Sequence, residues 1–309
     1  MPRTDSWMML RLATLPALAL TACSYYVDLP AASDDGAPPD AGPPTDAPAW
    51  TWDTSSCSAA AVCPPAGTGE VSICGRVLDV GDDLATLGDQ PAIWCDPAAP
   101  PAAGACSIRI QYYPALPFVG NPTDGLALEP SQAGIDGCGR FYAVLPVPEL
   151  DFLAAVVDDA DGLADARVPT WAAMAAPSGS SITTDLYTQT RALDAQWSAS
   201  AGIASFADVG AVLILFRGPD ALPAPDVQIT EAGEVQPAND YYFSDADAHT
   251  RQAVAPALDA TGADGAALKI NSMLIDHSGT GGEPAGCTWD SRLARSVMGH
   301  LYAAAFGCM

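Results

Sequence analysis

Val71-Ser72-Ile73-Cys74-Gly75-Arg76-Val77-Leu78 is the stretch that decides the fold. It is rich in β-branched residues, and its apolar side chains alternate through Val71, Ile73 and Val77. This is the period of a strand with one buried face. The turn residues Gly81-Asp82-Asp83 follow directly. The pattern therefore predicts a β-strand that ends in a tight turn.

Strand patterns of the same kind recur along the chain, between turns rich in Gly, Pro and Asp. Short strands at this spacing are typical of an all-β sandwich. Val212–Phe216 is apolar at every position, which favours a strand buried in a sandwich core. The other predicted strands are Ile108–Tyr112, Arg140–Leu145, Phe152–Val157, Ile182–Tyr187, Val227–Thr230 and Ala267–Asn271.

A short helix is predicted from Arg191 to Ala201. Thr190 stands where an N-cap is expected, and Gly202 stands where a helix of this length would end. Leu193 and Trp197 lie four residues apart and therefore share one face. We expect Trp197 to pack on a neighbouring sheet as a core residue.

Two glycine-containing motifs stand on predicted strands. They are Ile73-Cys74-Gly75-Arg76-Val77-Leu78-Asp79 and Asp136-Gly137-Cys138-Gly139-Arg140-Phe141, the second followed by Leu145-Pro146-Val147-Pro148. Together they resemble the carboxypeptidase regulatory-like (transthyretin-like) domain, whose pattern is G-x-V-x-D, then D-x-x-G-x-F/Y, then a strand that ends in proline. The resemblance covers about residues 70–160 and implies a β-sandwich, and residues 208–275 resemble the pattern more faintly. A cysteine inside each motif and a long intervening loop depart from the family pattern.

The predicted architecture is an all-β fold of two Ig-like or transthyretin-like β-sandwich modules, joined by a connector that contains the short helix. The modules are residues 57–171 and 207–309, and the connector is residues 172–206. Residues 23–56 are rich in Asp, Pro, Ala and Gly. Because few of these residues can bury apolar surface, they predict a disordered tether, partly in polyproline II conformation. Residues 1–22 are predicted to be an export signal of the lipoprotein type.

Leu20-Thr21-Ala22-Cys23 closes this N-terminal segment, which carries Arg3 and Arg11 before a short apolar run. A positive start, a short apolar core and small residues before the cleavage point are typical of a secretory signal. The last four residues resemble the bacterial lipobox, which implies cleavage before Cys23 and acylation of that residue. An ordinary secretory signal, with Cys23 incidental, is the alternative.

Two or more acyl chains anchor a protein stably, so the predicted partner of the N-terminus is a membrane and the predicted location is the cell envelope. Ser24 follows the cysteine, as in the enterobacterial pattern for delivery to the outer membrane. The overall layout resembles uncharacterised lipoproteins of myxobacteria-like organisms, a group that supplies no activity.

Eight cysteines remain when Cys23 is set aside for the lipid, and an even number in an exported chain favours disulfides. Eight cysteines allow 105 pairings, and we prefer the set that keeps each bridge within one predicted module. A thiolate metal site is disfavoured because no CxxC spacing occurs. The preferred pairs are Cys57–Cys63, Cys74–Cys138, Cys95–Cys106 and Cys287–Cys308.

The formal net charge of the 309-residue chain is −25. Nucleic-acid binding needs a basic surface, so this class of partner is excluded. Lys269 is the only lysine. The acidity either solvates an alanine-rich protein or repels other anions at the cell surface.

Enzymatic patterns are absent from the sequence. The transthyretin-like fold is related to the intradiol dioxygenases, which bind iron through two tyrosines and two histidines, but His249, His277 and His300 form no HxH pair. Neither G-x-S-x-G nor H-E-x-x-H occurs. Asp276-His277-Ser278 brings three catalytic residue types together, but adjacent side chains point apart, so we interpret residues 275–282 as a Gly-rich loop.

Calcium is the one metal with support, since hard oxygen donors cluster on two short loops. The candidate ligands are Asp159, Asp161, Asp245 and Asp247. Neither loop has the EF-hand register, and ordinary Asp-rich turns are the preferred interpretation, with a weak extracellular calcium site as the alternative. No cofactor is predicted.

Tyr241-Tyr242-Phe243 stands between acidic residues and would suit either a carbohydrate or protein partner or an ordinary core. The function expected from the sequence is a non-catalytic, lipid-anchored envelope protein that is structural, adhesive or partner-binding. A carbohydrate-binding surface module with Tyr241 and Tyr242 in its site is one alternative. An intradiol-dioxygenase-like enzyme is the other.

Overall fold

A computed structural model describes residues 60–83, 108–122, 127–136, 138–159, 166–244, 247 and 250–309. All of them lie in one compact unit, Trp50–Met309. The signal segment and the tether lie outside the described residues, as does the acylation site, Cys23. No helix among the described residues is both long enough and apolar enough to cross a membrane.

Strands dominate the described chain. The helices are α1 (Ala115–Gly120), α2 (Arg191–Ala201) and α3 (Phe206–Val209), with a 3-10 turn at Glu149–Asp151. The strands of the N-terminal half are β1 (Glu70–Asp79), β2 (Ile108–Pro114), β3 (Gln132–Ile135), β4 (Arg140–Pro146), β5 (Phe152–Asp159), β6 (Arg167–Val168), β7 (Thr170–Ala175), β8 (Ser181–Thr183) and β9 (Leu186–Thr190). Those of the C-terminal half are β10 (Ala211–Arg217), β11 (Val227–Glu231), β12 (Glu234–Val235), β13 (Asp240–Phe243), β14 (Val254–Ala255), β15 (Ala266–Ile270), β16 (Ile275–Gly281), β17 (Arg292–Ala294) and β18 (Leu301–Gly307).

The strands form three sheets. The largest has eight strands in the order β14-β13-β15-β10-β18-β7-β5-β2. A six-stranded sheet has the order β3-β4-β1-β9-β6, with β8 paired to β1, and a four-stranded sheet has the order β12-β11-β16-β17. The predicted all-β fold class is therefore confirmed.

The eight-stranded sheet lies at the centre and is buried on both faces at β10. Val212, Ile214 and Phe216 face a core shared with the four-stranded sheet, whereas Leu213 and Leu215 face a second core that contains Trp197 of α2. Burial on both faces is why this strand is apolar throughout. The sheet takes β2, β5 and β7 from the chain before residue 205 and its other strands from the chain after it, so the two predicted modules share one sheet.

The helix predicted at Arg191–Ala201 is confirmed, with both of its ends. The hydroxyl of Thr190 accepts a hydrogen bond from the Leu193 amide, and Gly202 ends the helix in the left-handed conformation, at φ 72°. Trp197 is fully buried, and its indole N–H donates to the Arg251 carbonyl at 2.7 Å. Local capping chemistry thus determines this element.

Two local predictions need correction. Residues 275–282 are not a loop, because β16 occupies Ile275–Gly281 and pairs with β11. Gly279 fits this strand because Phe216, Val227 and Trp289 fill the space that a side chain would need. The single strand predicted at Ile182–Tyr187 is two strands, β8 and β9, which pair in parallel with successive parts of β1.

The disulfide predictions have mixed outcomes. The pair Cys287–Cys308 is confirmed, with Cα atoms 5.2 Å apart. Cys63 and Cys74 are joined to each other, so the predicted pairs Cys57–Cys63 and Cys74–Cys138 are both wrong. Parallel pairing of β1 with β8 explains this bridge, because the Cys63 sulfur lies 3.3 Å from the carbonyl oxygen of Ile182 on β8. The predicted pair Cys95–Cys106 lies outside the described residues.

Candidate functional site

The aromatic pair predicted as a ligand surface is part of the core. Tyr242 is buried, and its hydroxyl oxygen accepts a hydrogen bond from the Ile229 amide at 3.2 Å. Tyr241 is half-buried and packs edge-to-face on Phe206, with ring centroids 5.2 Å apart. The two tyrosines therefore do not form the exposed strip that a sugar-stacking surface needs.

The predicted calcium ligands are not brought together among the described residues. One carboxylate oxygen of Asp159 accepts hydrogen bonds from the amides of Ala166 and Arg167, at 2.7 and 2.8 Å. Asp247 is exposed, whereas Asp161 and Asp245 lie outside the described residues. Within the ranges that the structure covers, no group of three or more His, Cys, Asp or Glu side chains could hold a metal ion.

The histidines that bear on the dioxygenase hypothesis occupy separate places. His300 packs edge-to-face on Phe118, and its Nδ1 contacts the Met298 carbonyl at 3.1 Å. His277 is fully buried on β16. Burial lowers the pKa of both imidazoles below its usual value. His249 lies outside the described residues.

The structure assembles one cluster of chemically competent side chains that the sequence analysis did not find. It contains Lys269 of β15, Asp240 of β13, Glu231 of β11, and Ser272 and His277, and we call it the lysine cluster. The side chains of the cluster that form ion pairs are each between 0 and 10% exposed. It lies between the eight-stranded and four-stranded sheets, because β13 and β15 belong to the first and β11 and β16 to the second.

The register of β13 and β15 brings the Asp240 carboxyl and the Lys269 amine together. Asp240 and Lys269 are directly paired on the antiparallel strands β13 and β15. The Lys269 Nζ lies 2.7 Å from Asp240 Oδ1 and 3.5 Å from Glu231 Oε2. The same nitrogen donates to the carbonyls of Gln236 and Ala238 at 2.6 and 2.9 Å. Four oxygen atoms therefore surround one buried amine.

Asp240 is the least well satisfied member of the cluster. Neither of its carboxylate oxygens has a partner with hydrogen-bond geometry in the described chain, although Lys269 Nζ approaches one of them closely. Burial raises the pKa of Asp240 to about 6, and the neighbouring Lys269 amine only partly offsets this. Removal from water penalises the charged form of the carboxyl, which is the physical cause of the raised pKa.

Glu231 is held at the other end of the cluster. The Ser272 hydroxyl donates to Glu231 Oε1 at 2.6 Å, and the same hydroxyl oxygen lies 2.9 Å from His277 Nε2. His277 Nδ1 contacts the Ile275 carbonyl at 2.9 Å. These contacts fix Oε1, so that Oε2 is the oxygen facing the lysine. The arrangement places a carboxylate able to accept a proton beside the Lys269–Asp240 contact.

A second cluster of charged side chains, around Asp83, makes contacts that only hold parts of the fold together. The Asp83 carboxylate receives both terminal nitrogens of Arg251, at 2.9 and 2.7 Å, and a terminal nitrogen of Arg217 at 2.7 Å. Arg251 also donates to the Val80 carbonyl. The turn after β1 is thereby fixed to the segment before β14. Arginine cannot lose its proton in a protein, so this cluster has no acid–base chemistry to offer through its cations.

Comparison with known proteins supplies no family. No family model matches the chain, and no curated protein matches it. Among solved structures it is similar to the Bacillus anthracis TIE protein, at 9% identity and a TM-score of 0.20 over 78% of this chain. This chain spans only 34% of that protein's length.

Two further solved structures are similar over most of their own length. The shaft pilin SpaA from Lactobacillus rhamnosus GG matches at 10% identity and a TM-score of 0.20, over 79% of this chain and 98% of the pilin. The family 26 carbohydrate-binding module of Eubacterium rectale Amy13K, solved with maltoheptaose, matches at 9% identity and a TM-score of 0.21, over 77% and 93% of the two chains. At such scores these similarities support no functional argument.

Proposed function

We propose that this protein is a non-catalytic, lipid-anchored component of the cell envelope with a structural or adhesive role. The observation that carries the proposal is the closure of its polar clusters. Lys269 and His277 in one cluster, and Arg251 in the other, are nearly or fully buried, and each is in contact with a carboxylate of the same chain. A catalytic cleft would instead present such groups to a substrate.

Attachment through Cys23 is the second part of the proposal and is supported by the lipobox pattern. The described bridges Cys63–Cys74 and Cys287–Cys308 also favour an oxidising compartment, because disulfides persist outside the reducing cytosol. The tether of residues 23–56 would then hold the folded unit away from the lipid surface.

Fractionation of expressing cells tests the anchor. Wild-type protein is expected in the membrane fraction and in the detergent phase of a two-phase separation, and Cys23→Ser protein is expected to leave both. Cys308→Ser is the matched control, because it removes a cysteine far from the lipobox and should leave membrane attachment unchanged. If the wild type and Cys23→Ser fractionate alike, the anchoring proposal fails.

The non-catalytic part of the proposal is tested against its two rivals. Purified protein is expected to hold no stoichiometric iron, which an intradiol-dioxygenase-like enzyme would require. A glycan array is expected to show no hits that Tyr241→Ala abolishes, because Tyr241 packs on Phe206. Stoichiometric iron would favour the enzyme, and reproducible hits lost in Tyr241→Ala would favour the carbohydrate-binding module.

A further inference from the structure

Lys269 is an unusual residue in this chain. It is the only lysine among 309 residues, and every other cationic side chain except histidine is arginine. It is the fourth residue of β15, a strand whose five residues are all buried. Arginine would carry the same charge but could not act as a nucleophile, because its guanidinium stays protonated. The use of lysine here therefore permits chemistry that arginine would exclude.

The amine is aimed at a carboxyl group rather than at solvent. Lys269 Nζ lies 2.7 Å from Asp240 Oδ1, and the two side chains are 4% and 3% exposed. The carbonyls of Gln236 and Ala238 hold the amine from other directions. Two reactive groups held in contact by a folded scaffold react as if at very high concentration.

We propose that Lys269 and Asp240 become joined by an intramolecular amide bond, which ties β13 covalently to β15. The Lys269 nitrogen attacks the Asp240 carbonyl carbon and forms the new C–N bond, and one carboxyl oxygen leaves as water. The ammonium and the carboxylate together hold every atom of the amide and the water. The step therefore needs no oxidant, reductant or co-reactant.

Glu231 is the catalytic residue of this step. Its Oε2 lies 3.5 Å from the Lys269 nitrogen, close enough to accept a proton from the amine and return it to the departing oxygen as that group becomes water. Ser272 occupies the other carboxylate oxygen by donating to Oε1. Asp276 precedes His277 in the sequence but is exposed, and none of the contacts described brings its carboxylate to the Lys269 amine.

The buried environment favours both the reaction and its persistence. Burial disfavours the charged forms of an amine and a carboxyl and favours the neutral forms that condense. The reverse reaction needs a water molecule at the same buried carbon. The bond would also replace a buried ion pair, whose two charges are costly to desolvate, with a neutral amide.

Peptide mass analysis of reduced and alkylated protein tests the proposal. Trypsin cuts after arginine and free lysine, so unlinked protein releases residues 218–251, 252–269 and 270–292 as separate peptides. Linked protein is expected to release one branched species of residues 218–251 and 252–292, lighter than its two parts by one water molecule. Fragmentation should place the branch at Asp240 and Lys269.

Variants assign the chemistry. Asp240→Ala and Lys269→Arg should abolish the branched species. Glu231→Gln keeps both joined residues and a similar shape, and should release residues 252–269 as a free peptide. Asp276→Asn is the matched control, because it removes an exposed carboxylate nearby and should leave the branched species intact. A wild-type digest with the three separate peptides and no branched species would overturn the proposal, and a full yield of branched species in Glu231→Gln would overturn the role of Glu231.

Discussion

Arg251 and Asp83 are separated by 168 positions and form a bidentate pair with distances of 2.9 and 2.7 Å. Arg251 is fully buried, and Asp83 lies in the turn that follows β1. The pair connects the sheet built around β1 to the C-terminal half of the chain. A bidentate pair of this kind fixes orientation as well as distance.

Asp83→Asn should destabilise the fold because it leaves the Arg251 guanidinium buried without its counter-charge. Asparagine tolerates the positive φ of 58° found at this position, so the backbone is not the cause of the loss. The free energy of unfolding should fall by about 3 kcal/mol in urea titration. Asp158→Asn is the matched control, since its partner Arg109 lies 3.6 Å away and is 32% exposed. That change should cost less than about 1 kcal/mol, and equal losses in the two variants would contradict the structural role of Asp83.

Gly75→Ala should disrupt the contact between β1 and the segment after β8. A Cβ at Gly75 would lie 1.7 Å from the Thr184 carbonyl oxygen, a distance that only movement of the backbone can relieve. The expected loss of unfolding free energy is about 3 kcal/mol. Gly120→Ala is the control, because a Cβ there meets nothing within 4 Å. Thermal melts that leave Gly75→Ala at the wild-type midpoint would show that β1 does not approach Thr184 as described.

The Cys287–Cys308 bridge should stabilise the C-terminal end of the chain. It closes a separation of 21 residues and fixes the chain just after β18, the strand that pairs with β10. Replacing both cysteines with serine should lower the free energy of unfolding by about 2–4 kcal/mol. Non-reducing peptide mapping supplies the independent check. A peptide that joins Cys63 to any residue but Cys74 would contradict the assignment made for the first bridge.

The contribution of His277 to stability should fall as the pH is lowered below 6.5, whereas the raised pKa of Asp240 acts in the opposite direction. Burial lowers the pKa of His277 in the fold, although Glu231 and Asp276 oppose the shift. The unfolded chain therefore binds a proton near pH 6.5 that the folded chain does not, and folding loses stability by up to about 1.4 kcal/mol per pH unit in this window. His277→Gln should be less stable at pH 7 but should show a shallower decline between pH 7 and pH 5. Parallel declines in urea titrations of the two proteins would contradict this origin.

Elements with local signals could be predicted from sequence. The limits of α2 follow from Thr190 and Gly202, whose capping roles depend only on neighbouring residues. The strand at β10 follows from its unbroken apolar run. Predicted strands at β1, β4 and β5 agree with the structure to within two residues at their ends.

Features that depend on distant strand pairing could not be predicted. Cys74 bonds to Cys63 because β8, about a hundred positions further along the chain, pairs in parallel with β1 and lies against both sulfurs. Nothing near either cysteine signals that pairing. The shared eight-stranded sheet has the same origin, since Thr170 of β7 pairs with Leu301 of β18, 131 positions further along the chain.

The lysine cluster was missed for a related reason. Lys269 was visible as the single lysine on an alternating strand, but its partners come from β11 and β13, which only the folded register brings alongside. A lone cation in an apolar strand is the signal that could have found it. Such a residue must be paired when it is buried, so a search for its acid would have been justified.

The mass of the N-terminal peptide of protein isolated from cells tests the central functional claim most directly. The account predicts that the mature chain begins at Cys23 and that this residue carries the acyl chains that would hold the protein at a membrane. An unacylated mature N-terminus at any other position would contradict it.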